Sequence, residues 1–261
     1  MLKVGLIGCG AIGTILAKAI DSGKAGRAEL VAIYDAREES ARALEKKLKS
    51  KCCVSSTFAE LLESDADLVV EAASQQAVRE YGEKILREGK SLVVMSVGAL
   101  LDERLLARLG KAAKGSGAKI HVPSGAVLAI DALKAANIGG ITSVELTTSK
   151  PPHALGIEAS RKKVIFRGSA EEAVRRFPQN INVAATLSLA GIGKKRTKVV
   201  IIADPELRKN VHELKVRAKS GDFRATIENL PSPENPKTSY IAALSAIQLL
   251  KNLTESVRIG T

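Results

Sequence analysis

The chain has 261 residues, 45% hydrophobic and 26% charged, with three cysteines and a formal net charge of +12. Those proportions belong to an ordinary globular protein, and the length suffices for two small domains with buried cores. They exclude a membrane span, since no apolar run approaches the roughly 18–20 residues one needs. They also argue against a disulfide framework or zinc site, because Cys9, Cys52 and Cys53 are odd in number and two are adjacent. No metal is expected.

In chain order, the first half alternates strand and helix. "KVGLIG" (3–8) is an apolar run ending in glycine, and "AIGTILAKAIDSG" (11–23) follows with helical spacing. "AELVAIYD" (28–35) predicts a strand and "REESARALEKKLKS" (37–50) an amphipathic helix. "DLVVEAA" (67–73), "QAVREYGEKILREG" (76–89), "SLVVMSV" (91–97), "LDERLLARLGKAAKGSG" (101–117) and "AKIHVPS" (118–124) continue the alternation. Strands that are apolar throughout, separated by helices, imply a parallel sheet covered on both faces, a Rossmann-type doubly wound domain.

The pattern changes near residue 123. "ITSVELTTSKPP" (141–152), "KVIFRG" (163–168), "TKVVIIAD" (197–204), "HELKVRAKSG" (212–221) and "DFRATIENL" (222–230) predict longer strands, the last two joined as a hairpin at "SGD". "AEEAVRRF" (170–177) and "NVAATLSLAG" (182–191) predict helices between them. After the breaker-rich "LPSPENPKTS" (230–239), "YIAALSAIQLLKNL" (240–253) predicts a final helix. The fold class is therefore α/β, with a second α+β domain built on a mixed or antiparallel sheet. The expected organisation is a dinucleotide-binding domain over 1–122, completed by 235–261, and a substrate and dimerisation domain over 123–234.

The positive charge is uneven. Residues 1–122 carry 19 Lys/Arg against 16 Asp/Glu, and residues 123–234 carry 18 against 11. Without an RNA-binding aromatic signature, a zinc finger or a basic tail, that excess points to a small polyanion rather than nucleic acid. The glycine reached early in "MLKVGLIGCG" fits no signal peptide, and the expected address is the cytoplasm.

Gly8, Gly10 and Gly13 have the G-x-G-x-x-G spacing, between a predicted strand and helix. The first glycine permits the tight turn, the second the approach of a pyrophosphate, and the third close helix–strand packing. The phosphates then meet the helix N-terminus at Ala11 and Ile12. Asp35, ending the second strand, is placed to accept from the adenosine ribose hydroxyls, which favours NAD. Arg37 could pair with a 2′-phosphate, which keeps NADP as the alternative. Later strand ends, with Ala73 and Ser74 and then Ser96, Val97 and Gly98, belong along the nicotinamide-side ribose, because ligands sit outside the carboxyl ends of parallel strands.

Several stretches together resemble the L-aspartate dehydrogenase family, nearly end to end and in family order. They are "GLIGCGAIG", "VVEAASQQAVREYG", "VMSVGAL", "VPSGAVLAIDALKAA", "TSKPP", "FPQNINVAATLSLAGIG", "IADPELRKNVHELKV" and "NPKTS". The resemblance implies NAD(P)-dependent conversion of L-aspartate to iminoaspartate, which hydrolyses to oxaloacetate and ammonia, and a link to NAD biosynthesis. It further implies a second domain similar to that of dihydrodipicolinate reductase, and a homodimer.

By motif, the resemblance makes His212 in "NVHEL" catalytic and gives Ala126 and Asn182 cofactor contacts. On residues alone His212 is a core strand histidine, and Asn182 serves equally as a helix cap. Aspartate carries two carboxylates, so its site needs cationic or multi-donor partners, for which Lys150, Lys237, Thr238 and Ser239 are the candidates. His153 reads as a loop residue and His121 as packed. The segment "HALGIEASRKK" is short for the family. The competing readings are another two-domain reductase of a small dicarboxylate, disfavoured by the absence of adjacent histidines, and an NAD-sensing protein that binds nucleic acid, disfavoured by the absence of a helix-turn-helix.

Overall fold

The computed structural model describes residues 1–177, 182–232 and 235–260, with the side chains of 235–237 left aside. The chain divides into two compact units. One is Met1–Pro123 together with Ala243–Ile259, and the other contains Ser124–Ala242.

The first unit runs β1 (Leu2–Ile7), α1 (Ala11–Asp21), β2 (Ala28–Tyr34), α2 (Glu38–Glu45), β3 (Cys53–Val54), α3 (Phe58–Glu63), β4 (Leu68–Glu71), α4 (Gln75–Arg87), β5 (Ser91–Val94), α5 (Glu103–Ser116) and β6 (Ile120–His121). The six strands form one parallel sheet in the order β3-β2-β1-β4-β5-β6. Residues 4–7 of β1 and all of β4 are buried, which is why these segments are apolar without alternation. The order reverses between β1 and β4, where such a sheet opens a crevice at its carboxyl ends.

Two local departures have clear causes. The second helix, expected over 37–50, ends at Glu45. Asp21 accepts the N–H groups of Lys49 and Ser50, each at 2.8 Å, and so holds that segment out of the helix. The short β3 and α3 were not anticipated. Thr57 caps α3 by accepting from the Glu60 N–H.

The second unit runs α6 (Ile130–Gly139), β7 (Ile141–Lys150), β8 (Lys163–Ser169), α7 (Ala170–Arg176), α8 (Asn182–Ala190), β9 (Thr197–Ala203), β10 (Asn210–Ala218), β11 (Phe223–Asn229), β12 (Pro231–Ser232) and β13 (Asn235–Ser239). Five strands form a mixed sheet, β11-β10-β7-β9-β8, in which β7 and β9 are parallel and the other neighbours antiparallel. The hairpin between β10 and β11 turns at Gly221, whose φ of 132° suits glycine. One sheet face is apolar: Val144, Leu146, Val199, Ile201, Leu214 and Val216 pack with Leu133 of α6, Ala170 and Ala173 of α7, and Leu187 of α8. The helix α6 went unanticipated because its N-cap, Ala129, is a positive-φ residue without a capping side chain.

The last helix, α9 (Tyr240–Thr254), places Ala246 and Leu250 in the core of the first unit with Val4, Leu6, Leu16 and Ile20. Leu250 is fully buried. Leu250→Ala should therefore cost about 2–5 kcal/mol of stability, seen as a lowered urea midpoint; an unchanged midpoint would mean that α9 contributes nothing to that core.

Candidate functional site

The turn after β1 has the shape a pyrophosphate requires. Gly8 has a φ of 96°, and a Cβ there would lie 2.6 Å from the Ala72 carbonyl oxygen. A Cβ on Gly13 would collide with the carbonyl oxygen of Gly8. Both positions demand glycine for packing. Gly10 differs: a Cβ there meets nothing within 4 Å. It is exposed, precedes Ala11 and Ile12 in the first turn of α1, and offers that turn no capping side chain. A glycine needing room on the outside, beside helix N–H groups, fits the close approach of phosphate oxygens.

Asp35 stands at the end of β2, beside this turn. Its carboxylate accepts the Cys9 N–H at 2.8 Å and the Arg37 N–H at 2.9 Å, one on each oxygen. The Arg37 guanidinium is exposed, 3.9 Å from the same carboxylate. Two backbone bonds hold the acid in place, while each oxygen keeps lone pairs for hydroxyl donors. The Cys9 thiol is pushed up to about 12 by burial and by Asp35, so it stays protonated and structural.

The two later strand ends are joined by a residue the sequence did not single out. Glu71, the last residue of β4, is 1% exposed. Its carboxylate accepts the Ala73 N–H at 2.8 Å, the Ser96 N–H at 3.0 Å and the Ser96 hydroxyl at 2.8 Å. Ser74 caps α4 by accepting from the Ala77 N–H. Ser96 leads into a short 3-10 turn containing Val97 and Gly98. The signal was a charged residue inside the apolar run "DLVVEAA", which must find partners when buried.

In the second unit, the apolar sheet face becomes polar at one end. Along β10, Asn210 and His212 share the buried face with Leu214 and Val216. His212 is 4% exposed, pairs in register with Thr148 of β7 and Ile227 of β11, and its Nδ1 lies 3.0 Å from Thr148 Oγ1. Two residues beyond Thr148, Lys150 ends β7 and is also buried. Burial brings the Lys150 ammonium down to about 8. Burial, and then the charge of Lys150, bring the His212 ring down to about 3.

Two asparagines paired across β10 and β11 gather further segments to this end. Asn210 lies opposite Asn229. The Asn210 amide reaches Ser239 Oγ at 3.4 Å, and the Asn229 amide donates to the Ala126 carbonyl at 3.0 Å. Thus His212, Thr148, Lys150, Ala126 and Ser239 collect at one end of the sheet. Thr238 is half-buried beside Ser239, and the Lys237 side chain lies outside the described residues. Asn182 is exposed and is itself the first residue of α8 rather than its flanking cap. His153 is exposed in a 3-10 turn, and His121 is half-buried on β6, where burial lowers its pKa. Thr148, Asn210 and Asn229 were not legible as site residues, because only strand register brings them to His212.

The neutral ring has a consequence for stability. An unfolded His212 binds its proton as pH falls through 6.5, whereas the folded ring resists until about 3. Stability is fully present above 6.5 and is lost as the pH falls through that window. His212→Gln should flatten this acid limb in urea midpoints measured across it; a variant with the wild-type slope would show that the ring titrates normally.

Comparisons with known proteins place this geometry. Residues 131–253 match the family model described as "Aspartate dehydrogenase, C-terminal", and residues 8–123 match "Homoserine dehydrogenase, NAD binding domain". The chain is 50% identical to the L-aspartate dehydrogenase of Methanosarcina mazei over 273 residues, covering all of both chains. It is 47% identical to that of Methanothermobacter thermautotrophicus, covering all of this chain and 99% of the relative. The crystal structure of aspartate dehydrogenase from Thermotoga maritima superposes over all of both chains with a TM-score of 0.80 at 31% identity. With full-length identity of that order, and with the glycine turn and the His212 strand both inside the matched regions, the chain belongs to the L-aspartate dehydrogenase family.

Proposed function

We propose that this protein oxidises L-aspartate to iminoaspartate with a pyridine nucleotide as hydride acceptor, water then releasing oxaloacetate and ammonia. The observation that carries the proposal is the buried group of His212, Thr148 and Lys150 in a chain that also holds a complete nucleotide turn. Bound at the carboxyl ends of the parallel strands, the nucleotide supplies a two-electron acceptor for the hydride leaving Cα. Gly8, Gly10, Ala11, Ile12 and Gly13 would hold its pyrophosphate, and Asp35 its adenosine ribose. Ala73, Ser74, Ser96, Val97 and Gly98 would follow its other half, with Ala126 and Asn182 as further contacts.

The residues of the second unit account for the protons. Loss of hydride from Cα and of one proton from the amino nitrogen leaves the imine; water then adds to carbon, and the amine departs with a proton. A neutral imidazole is the form that accepts a proton. For Nε2 to do so, Nδ1 must carry the hydrogen and donate it to Thr148 Oγ1, which can accept it as well as donate. Lys150 provides positive charge for one substrate carboxylate, with Thr238, Ser239 and Lys237 as partners for the other. A dicarboxylate beside Lys150 offsets the charge that depresses the ring, and so raises the basicity of His212 where it is needed.

We assign NAD as the preferred cofactor. The Asp35 carboxylate, held by the Cys9 and Arg37 N–H groups, would accept from a ribose diol and repel a 2′-phosphate, while the exposed Arg37 guanidinium could pair with that phosphate in NADP. The proposal also takes the protein as a cytoplasmic homodimer whose iminoaspartate feeds NAD biosynthesis.

Two measurements test these roles. His212→Asn should lower kcat with L-aspartate by roughly 10²–10⁴, the range for losing a general acid–base group, with NAD affinity and melting temperature little changed; near-normal turnover would return His212 to a packing role. Asp35→Ala should shift the NAD to NADP ratio of kcat/KM toward NADP. A ratio that stays put would remove Asp35 from the ribose.

A further inference from the structure

We infer that Glu71 is a positioning residue for the nicotinamide-side half of the cofactor, acting as a carboxylate clamp that joins the turn after β4 to the turn after β5. The inference rests on the proposed placement of the dinucleotide along these strand ends and goes beyond it, by assigning the spacing of the two turns to one buried side chain.

The geometry is specific. The three bonds already described join residues separated by 2 and by 25 positions in sequence, and all three come from donors. Backbone N–H groups can only donate, so the anion is the form that satisfies Ala73 and Ser96 together. The position is otherwise unfavourable to charge, since burial pushes the Glu71 carboxyl up and only the bonds from Ser96, Ala73 and Ser74 pull it back. A buried acid with no other task is readily replaced by an apolar residue of similar size. Here it fills the outstanding donors of two turns at once. Moving either turn would therefore shift the groups expected along the second ribose, while the glycine turn and Asp35 keep their own hydrogen bonds.

Glutamine distinguishes clamp from filler. It keeps the volume, but its NH₂ must face a backbone N–H whichever way the amide is turned, toward Ala73 or toward Ser96. A ladder of ligands then locates the damage: ADP reads the adenosine and pyrophosphate half, ADP-ribose adds the second ribose, and NAD adds the nicotinamide. By titration calorimetry, Glu71→Gln should weaken ADP-ribose and NAD by about tenfold, the effect of roughly one hydrogen bond, and ADP by less than about twofold. Ser96→Ala, which removes only the hydroxyl donor, should give the same pattern more weakly and carries the test if the glutamine variant does not fold. Equal weakening of all three ligands would make Glu71 a general structural residue, and no change in any would make it a filler; either overturns the clamp. Wild-type protein that binds ADP-ribose no more tightly than ADP would instead defeat the cofactor placement itself, and the clamp with it.

Discussion

Taking an ammonium and an imidazole out of water at the same end of one sheet face sets the electrostatics of the second unit. Each ion alone would lose much of its hydration, and two positive charges side by side would repel. The ring gives way first: His212 is down to about 3 while Lys150 remains near 8. At neutral pH the His212 ring is therefore a neutral base beside the buried Lys150 ammonium. The arrangement follows from register, because antiparallel pairing of β7 and β10 sets Thr148 against His212 and leaves Lys150 two residues further along.

The first unit meets the same constraint with the opposite sign. Its buried acid, Glu71, also lies at a strand end, where the chain turns out of the ladder and backbone N–H groups lose their sheet partners. A carboxylate answers several donors pointing the same way and, on the proposed function, a cation answers an incoming carboxylate. Both units thus carry charge where regular pairing stops, while their apolar interiors stay uncharged: Val69, Val70, Leu92 and Val93 in one, Val144, Leu146 and Leu214 in the other.

How much of this was legible in the sequence depended on how local its cause was. The nucleotide turn could be read because Gly8, Gly10 and Gly13 act within six residues, and Asp35 follows at the end of the very next strand. The alternation of apolar strands and amphipathic helices was likewise visible, since parallel strands buried on both faces have nowhere to put polar residues. Glu71 escaped notice because one of its partners is 25 residues away in another turn. Thr148 escaped because its bond to His212 spans 64 residues and exists only through strand register. The helix α6 carries no capping residue to mark its start, and α2 stops short of its amphipathic pattern because Asp21 claims the N–H groups of the segment that would continue it.

His212 shows why periodicity alone misjudges such a residue. Positions 210, 212, 214 and 216 of β10 all point to the buried face, so the pattern that makes Leu214 and Val216 core residues makes the histidine look like one too. Its burial is indeed that of a core residue. It differs from its apolar neighbours in the company it keeps on the neighbouring strand: a hydroxyl within hydrogen-bonding reach of Nδ1, and a lysine whose charge adds to burial in holding the ring neutral. On the proposed function, that company also bears on substrate choice. A carboxylate bound beside Lys150 would sit where burial already disfavours positive charge, so charge pairing there would discriminate between ligands more strongly than shape alone. The burial that disguises His212 as a packing residue is therefore also what would strengthen the attraction between Lys150 and a substrate carboxylate.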